Sequence, residues 1–346
     1  MWGRVVVNEL LRCACYGDRV RNAGLLLITT LAVAAGTPDA LAKPVKHKPV
    51  ATVVVPAGKG TTTTAAVDAA LAKLTDDPIT GKADRVNGVE RKHMVAFTFD
   101  DGPNPETTPH VIETLKAYDI PATFFIVTQR LAGARGEKPR ALIKQMLADG
   151  FLVGDHTTSH ASLPGKPPAK LVFEIDNSIR ALGDATQQPF GLFRAPYGAL
   201  DARGRAWIRT RGLTEVFWSV DTLDWKAKRA DRLRAKTGKM ILAGDGGIVL
   251  MHDIHALTAS VVPGVLDDLE AENCRRLAAH DPKQPPIIPV SLHYFLRDHK
   301  SLRPVPAAVQ ARTDHYLAAL PTRCAKRPPI AASPAAAAGP ITAPPP

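Results

Sequence analysis

Two neighbouring aspartates, Asp100 and Asp101, follow the apolar run of residues 95–99 in the segment VAFTFDDGP. Adjacent carboxylates repel each other, so a site that keeps both ionised needs a compensating positive charge. A bound cation would supply that charge, with one carboxylate as its ligand and the other free to accept a proton. The structural alternative is a turn and helix cap, because Asp-Gly-Pro is also favourable turn chemistry. Both can hold, since such a turn would keep the carboxylates in place.

Two histidines, His156 and His160, lie four residues apart in the segment GDHTTSH. On a helical turn this spacing places both imidazoles on one face. Two histidines and one carboxylate form a three-ligand set with an open position, which is typical of catalytic rather than structural zinc. Taken alone the pair is weak evidence, because two histidines at the start of a surface helix have the same spacing. Together with the paired aspartates, it favours a metal site.

Three more reactive residues follow later apolar runs: Arg194 in RAPYG, Asp224 in DTLDW and His252 in LMHD. A buried arginine needs a carboxylate partner, and Asp100 would both satisfy it and be held in place by it. Imidazole titrates near neutrality, so His252 is a candidate general acid. Asp224 beside it would raise its pKa and keep it protonated. For His252 taken alone, a hydrogen-bonded core histidine is the simpler interpretation.

The elements that must position these residues alternate between short apolar runs and helical patterns. Strands are expected at 95–99, 122–127, 151–153, 192–194, 215–220, 247–251 and 287–290, and helices at about 107–118, 138–149, 169–185, 201–211, 229–242 and 260–279. This alternation predicts an α/β fold with a parallel sheet. Seven such units without a Gly-rich phosphate fingerprint favour a barrel, whose functional residues collect at the carboxyl ends of the strands.

The N-terminal residues 1–42 resemble a signal peptide. Arg19 and Arg21 precede the apolar stretch NAGLLLITTLAVAAG, and Ala40-Leu41-Ala42 has the form of a cleavage site. The apolar stretch is short for a membrane span. We therefore expect export to the periplasm, the cell wall or the medium, with no stable membrane span after cleavage. An uncleaved anchor or a buried helix is the alternative.

Residues 43–90 are expected to form a linker or N-terminal extension with a short helix at 66–75. Residues 91–302 are expected to form the catalytic domain. Residues 303–346 form a Pro- and Ala-rich tail that is expected to be mostly irregular. Cys274 and Cys324 remain after the signal segment, and in an oxidising compartment they either pair or stay as two buried thiols.

The net charge of +11 fits an anionic partner such as an acidic polymer, or simply a solvated basic surface. No nucleic-acid motif and no interleaved aromatic and basic cluster occurs, so nucleic acid is not an expected partner. The sequence carries no pattern that indicates an oligomeric state.

The order of the segments TFDDGP, HTTSH, RAPYG, DTLDW and LMH resembles the five motifs of the polysaccharide deacetylases, the NodB-like carbohydrate esterases. The resemblance covers about residues 94–297. Each motif alone is weak, but five in this order and spacing are specific. The resemblance implies a distorted (β/α) barrel of about seven parallel strands and one divalent metal. Zinc is the expected ion, with cobalt or another divalent ion as the alternative.

The resemblance also implies a role for each matching residue. Asp101, His156 and His160 would bind the metal and Asp100 would be the general base. Arg194 would orient Asp100, and Asp224 would tune His252, the general acid. The backbone N–H of Tyr197 would help to hold the oxyanion, while Trp225, Leu250 and Pro196 would shape the substrate pocket.

The implied reaction is metal-dependent hydrolysis of the acetamide of N-acetylglucosamine residues in peptidoglycan, a chitin-type chain or an exopolysaccharide. An O-deacetylase of the acetyl-xylan type is one alternative. A non-catalytic wall-binding protein on the same fold is another, and it predicts damage at one of the residues Asp100, Asp101, His156, His160 or His252. All five are intact.

Overall fold

The computed structural model describes residues 79–299 and 301–327. Eight strands form one sheet, with a small two-stranded hairpin beside it. The ten strands of the two sheets are β1 Met94–Asp100, β2 Ala122–Ile126, β3 Leu152–Asp155, β4 Leu192–Phe193, β5 Thr214–Glu215, β6 Val220–Asp221, β7 Gly246–His252, β8 Ile288–Pro289, β9 Arg297–Asp298 and β10 Ser301–Leu302. The hairpin is β9 with β10.

The large sheet is parallel and has the order β5-β4-β3-β2-β1-β7-β6, with β8 beside the first residues of β1. In the register, Asp100 pairs with His252 of β7 on one side and with Phe125 of β2 on the other. Asp155 of β3 in turn pairs with Phe193 of β4. The carboxyl ends of these strands therefore lie at one rim, as the barrel interpretation requires.

Helices connect the strands. They are α1 Thr108–Ala117, α2 Glu137–Ala148, α3 Pro168–Leu171, α4 Asn177–Thr186, α5 Ala202–Thr210, α6 Ala230–Gly244, α7 Ala256–Ala279 and α8 Ala307–Lys326. A π-helical turn, Val172–Asp176, joins α3 to α4. Short 3₁₀ turns cover Thr128–Leu131, Ala134–Gly136, Pro196–Gly198, Asp224–Lys226 and Leu292–Phe295.

Strand β1 divides the core by its period-two alternation. Val95, Phe97 and Phe99 belong to a large apolar cluster that includes residues of α1, α2 and α7. Ala96 points to the other face, into a second cluster within the curled sheet. By the same alternation, Thr98 and Asp100 face the interior of the barrel, which is why an acidic side chain at this strand end enters the bowl.

The expected single strand at 215–220 is wrong, because the sheet breaks there into the short strands β5 and β6. Between them, Val86 bridges to Val216, and the N–H of Phe217 donates to the Val86 carbonyl. Val86 is fully buried. Residues 79–90, expected to be linker, thus contribute the buried residues Ile79, Ala83 and Val86 to the core and pair with the sheet where it breaks.

The expectation of an irregular tail from residue 303 is also wrong over its first part, where α8 forms. A disulfide between Cys274 and Cys324 joins α7 to α8, with the two Cα atoms 5.4 Å apart. Arg323 and Arg327 of this segment also pair with Glu270 of α7.

The signal segment at 1–42, its cleavage motif, the helix expected at 66–75 and residues 328–346 lie outside the described residues. Within the part that is described, no helix is both long enough and apolar enough to cross a membrane.

Candidate active site

Three potential metal ligands meet at the rim of the barrel. The Oδ1 atom of Asp101 lies 3.4 Å from Nε2 of His156 and 3.2 Å from Nε2 of His160. The ligand atoms of the three residues all lie within 4.8 Å of one another. Asp100 approaches the same point, with its Oδ2 atom 3.7 Å from Nε2 of His156.

This arrangement fits a divalent cation. Asp101 Oδ1 is buried and has no hydrogen-bond partner among the described residues, although two imidazole nitrogens face it. The Nδ1 atom of His156 lies 2.7 Å from the carbonyl oxygen of Arg194. A carbonyl only accepts, so Nδ1 carries the proton and Nε2 keeps its lone pair toward Asp101. One carboxylate and two imidazoles suit zinc or a similar ion.

The pKa values at this centre reflect the same clustering of charge. Burial alone would raise the pKa of Asp101, but contact with His156 and the charges of both histidines lower it well below its usual range. Burial lowers the pKa of His156, yet the charges of Asp100 and Asp101 outweigh it and raise the value. For His160, burial and the charge of His156 together lower the pKa.

The two histidines are brought together by a loop, so the expected helical turn is wrong. His156 follows the last residue of β3, and Thr157 and His160 both have left-handed backbone angles, with φ of 70° and 59°. The N–H of Thr157 donates to Asp155 at 2.8 Å, and the N–H of His160 donates to the Thr157 hydroxyl at 3.1 Å. These local hydrogen bonds stabilise the turn that places both rings on one side.

Glu174 supports this loop and was not identified from the sequence. It is fully buried in the π-helical turn and accepts from both the N–H and the hydroxyl of Ser159, at 2.9 and 2.6 Å. Burial would raise the pKa of Glu174, but the Ser159 hydrogen bonds and Lys170 lower it. Glu174 is therefore a buried carboxylate that fixes the residue next to His160. The supporting role of Glu174 is visible only from its burial and its place in the π-helical turn, and no sequence pattern predicts either feature.

Arg194 follows β4 and is completely buried. Its Nη1 atom donates to Asp100 Oδ1 and to the Thr98 hydroxyl, both at 2.7 Å. Its Nε and Nη2 atoms donate to the carbonyl oxygens of Val216 and Phe217, at 3.3 and 3.2 Å. The guanidinium thus orients Asp100 and also satisfies two carbonyls where the sheet breaks. Burial lowers the pKa of Arg194, and the negative charge of Asp100 offsets part of that shift.

Asp224 and His252 form a second pair across the bowl. Nδ1 of His252 lies 2.7 Å from Asp224 Oδ1, and Asp224 Oδ2 accepts from the His252 N–H and the Thr258 hydroxyl, each at 2.7 Å. Burial would lower the pKa of His252, but the hydrogen bond and charge of Asp224 raise it to about 9. Burial would raise the pKa of Asp224, but the hydrogen bond and the charge of His252 outweigh burial and lower the pKa below its usual value. His252 is thus held as a cation near neutrality.

The potential metal ligands, Asp100 and His252 line one cavity of about 430 Å³. Its walls are formed by Asp100, Asp101, His156, His160, Tyr197, Trp218, Asp221, Leu223, Trp225, Leu250 and His252. Tyr197 and Trp225 stand at the rim, 69% and 56% exposed. Arg194 and Asp224 lie behind the wall and act through Asp100 and His252.

The pocket differs from the expected one at four positions. Pro196 does not line it, because its side chain is buried in the turn that presents Tyr197. Trp218, Asp221 and Leu223 do line it. Asp221 and Leu223 belong to the segment DTLDW, in which only Asp224 and Trp225 were assigned roles, and Trp218 belongs to none of the five segments. Tyr197 has a left-handed φ of 60°, and no described residue accepts its N–H. That N–H is available to a ligand.

Comparison with known proteins matches the barrel to one family. Residues 87–216 match the family model described as polysaccharide deacetylase. The chitooligosaccharide deacetylase of Bradyrhizobium sp. (strain ANU 289) is 38% identical over 166 residues, which cover 48% of this chain and 73% of the relative.

The peptidoglycan-N-acetylglucosamine deacetylase PgdA of Listeria monocytogenes is 35% identical over 197 residues, covering 56% of this chain. The match spans only 40% of the length of that relative. Among solved structures, the Bc1960 peptidoglycan N-acetylglucosamine deacetylase is 27% identical and superposes with a TM-score of 0.49, covering 55% of this chain and 87% of that one.

Proposed function

Because this chain belongs to the polysaccharide deacetylase family, we propose that it hydrolyses the acetamide of N-acetylglucosamine residues in a polysaccharide. The products are acetate and a free amino sugar. The observation that carries the proposal is the convergence of Asp101, His156 and His160 on one point, with Asp100 and His252 in the same cavity. The relatives whose names specify peptidoglycan or chitooligosaccharide substrates point to the same reaction class.

Asp101, His156 and His160 would hold one divalent metal, with zinc as the expected ion. Such an ion supplies Lewis-acid polarisation of the substrate carbonyl and lowers the pKa of water. The ring orientation of His156 is fixed in advance by the Arg194 carbonyl, and that of His160 by the loop that Glu174 supports.

Asp100 would be the general base. Its carboxylate is held by Arg194 through Oδ1, so Oδ2 is the oxygen that faces the centre and can take the proton of the attacking water. As that water oxygen bonds to the carbonyl carbon, negative charge grows on the carbonyl oxygen. The Tyr197 N–H, which has no acceptor within the described part of the chain, would donate to that oxygen.

His252 would be the general acid. The breaking C–N bond leaves an electron pair on the amine nitrogen, and a protonated imidazole can supply the proton that makes this nitrogen a better leaving group. Asp224 holds His252 through Nδ1, which leaves Nε2 for the substrate. Trp225 and Leu250 would accommodate the acetyl methyl group and the sugar.

Export through the segment at residues 1–42 would bring the enzyme to such a polymer. The test is acetate release by the mature protein from peptidoglycan, chitooligosaccharides, an N-acetylglucosamine exopolysaccharide and acetylated xylan. We expect release from an N-acetylated polymer that a chelator abolishes and zinc restores. Release from acetylated xylan alone would make the protein an O-deacetylase, and polymer binding without any release would make it a wall-binding protein.

A further inference from the structure

A second groove, distinct from the catalytic cavity, lies beside it. It has a volume of about 460 Å³ and runs along the β6–α6 connection and the start of α6. Its cationic lining residues are Lys226, Lys228, Arg229, Arg232 and Lys236, and no carboxylate lines it. Leu223 belongs to the walls of both spaces, so the groove adjoins the catalytic cavity.

The charge of this region is unusual for the chain. Residues 225–239 contain seven Lys and Arg and one Asp, a net charge of +6 within a chain whose total is +11. More than half of the excess positive charge therefore lies in 15 residues beside the candidate active site. A positive surface of this kind attracts anionic groups and raises their local concentration.

Intramolecular pairing accounts for only part of this charge. Arg229 pairs with Asp231, outside the groove lining, and Arg234 pairs with Asp268 of α7. Lys236 donates to the Thr222 carbonyl, and Lys226 lies 5.3 Å from the centre of the Trp225 ring. Lys228 and Arg232 are exposed and have no acidic partner within residues 79–299 and 301–327.

We propose that this groove binds the carboxylates of a peptide-bearing glycan strand while a sugar of that same strand occupies the catalytic cavity. The inference rests on the proposed deacetylation and narrows its substrate to an anionic, peptide-substituted polymer. The shared wall at Leu223 supports it, because one connected molecule can reach both adjoining spaces. Lys226 directly follows the rim residue Trp225, so the anionic contacts begin where a bound sugar would leave the cavity.

A neutral chitin-type chain would gain nothing from these side chains. The groove thus acts on selectivity between substrates and leaves the chemical step unchanged. Because Lys228 and Arg232 are exposed, their attraction for carboxylates is screened by salt, with a range of about 10 Å at 0.1 M ionic strength.

The test compares Lys228→Gln/Arg232→Gln with Lys138→Gln/Lys144→Gln, a control that removes the same charge from exposed positions on α2. Acetate release is measured for each full-length protein on peptide-bearing glycan strands, on strands stripped of peptides by an amidase, and on neutral chitooligosaccharides. Binding to each polymer is measured in parallel with the same variants on an Asp100→Asn background. Peptide-bearing strands treated to remove phosphate-containing wall polymers form a further arm.

We expect kcat/KM on peptide-bearing strands to fall about tenfold in the groove variant, less at high salt, and to be unchanged in the control variant. On peptide-stripped strands and neutral oligosaccharides the groove variant should match the unmutated protein. Equal losses on neutral and anionic substrates, or no loss on either, would overturn the proposal. A loss that disappears when phosphate polymers are removed would also overturn it, since phosphate would then be the ligand. Failure of acetate release by the unmutated protein on every substrate would refute the proposed function instead.

Discussion

Buried charges in the bowl are arranged as pairs in which one member faces the cavity and the other lies behind it. Asp100 is oriented by Arg194, and His252 by Asp224. A buried ionised group is costly unless it is paired and hydrogen-bonded. Arg194 and Asp224 therefore stabilise the charged forms of Asp100 and His252. The roles proposed for Asp100 as base and for His252 as acid rest on these two pairs.

Replacing Asp224 should move the alkaline limb of the pH–rate profile. The His252 pKa is raised to about 9 in the folded protein, and a general acid works only while protonated, so activity should fall as pH rises through that value. A bound cation would repel the imidazolium and shift the limb below pH 9. Asp224→Asn removes the carboxylate charge, so its alkaline limb should lie about 1–3 pH units lower. The measurement is kcat/KM against pH; a limb that does not move would exclude His252 as the titrating acid.

Removing the guanidinium behind the base should cost stability as well as activity. Arg194→Met leaves the Asp100 carboxylate without its buried partner, along with the Val216 and Phe217 carbonyls. Breaking a buried pair from one side lowers the free energy of unfolding by about 3–5 kcal/mol. The double variant Arg194→Met/Asp100→Asn removes the orphaned charge and should recover part of that loss. Urea denaturation measures the free energy of unfolding of both variants. An equal loss of stability in the single and the double variant would refute the pairing argument.

At the scale of elements, the sequence was informative wherever a short apolar run ended in polar residues. The strands that carry Asp100, His156, Arg194 and His252 were predicted close to their observed positions, because parallel strands buried on both faces give continuous apolar runs. The expected strand at 215–220 failed for a physical reason. Most residues from Thr214 to Asp221 are β-branched or aromatic and favour a strand. At the break, the Val216 carbonyl accepts from Arg194, 22 residues away along the chain, which no local pattern reveals.

The HxxxH spacing predicted two histidines on one side, and the structure brings them together, but through a loop and not a helical turn. A helical turn and a loop with left-handed residues both bring positions four apart onto one side. The choice between them is made by Asp155, Thr157 and Glu174, whose hydrogen bonds appear only in the folded chain. Trp218 was missed because it lies outside every polar strand end, and Leu223 because nothing in the segment DTLDW marks its apolar residue as facing the cavity.

Glu174 offers a test of how the loop supports the metal site. Glu174→Gln keeps the shape of the side chain but removes the charge that accepts from Ser159, so His160 should be held less firmly. We expect zinc affinity, measured by competition with a chelator, to fall about tenfold.

The matched control is Asp176→Asn, in the same π-helical turn. Asp176 pairs with Arg211 and bonds the Trp207 indole, and it makes no contact with the loop. This variant should lose stability and keep its zinc affinity. If both variants lowered zinc affinity alike, the effect would come from general loosening of the turn.

At the scale of the whole molecule, two segments outside the expected domain limits complete the barrel. Residues 79–90 cover the break in the sheet, and α8 packs on α7 through the disulfide. Neither could be predicted from local pattern. The apolar residues of 79–90, Val86 among them, are few and follow no helix or strand period, and the separation of two cysteines in space depends on tertiary structure. The Pro- and Ala-rich composition that indicated an irregular tail applies mainly to residues after 327.

The disulfide should stabilise the fold without contributing to catalysis. It closes a loop with a sequence separation of 50 residues, and neither cysteine lines the catalytic cavity. Cys274→Ala/Cys324→Ala should lower the free energy of unfolding by about 2–4 kcal/mol and leave kcat/KM unchanged. Thermal or urea unfolding of the unmutated protein with and without reductant likewise compares the stability of the fold with and without the disulfide. Unchanged stability after reduction would contradict a structural role.

The central claim is that Asp100 takes a proton beside a metal held by Asp101, His156 and His160. It is tested most directly by acetate release from an N-acetylated glycan with zinc-loaded Asp100→Asn, with bound zinc measured in the same sample. The account predicts near-normal zinc content and a rate reduced by about 10²–10⁴-fold, the usual contribution of a general base. Acetate release at the unmutated rate, with zinc bound, would contradict it.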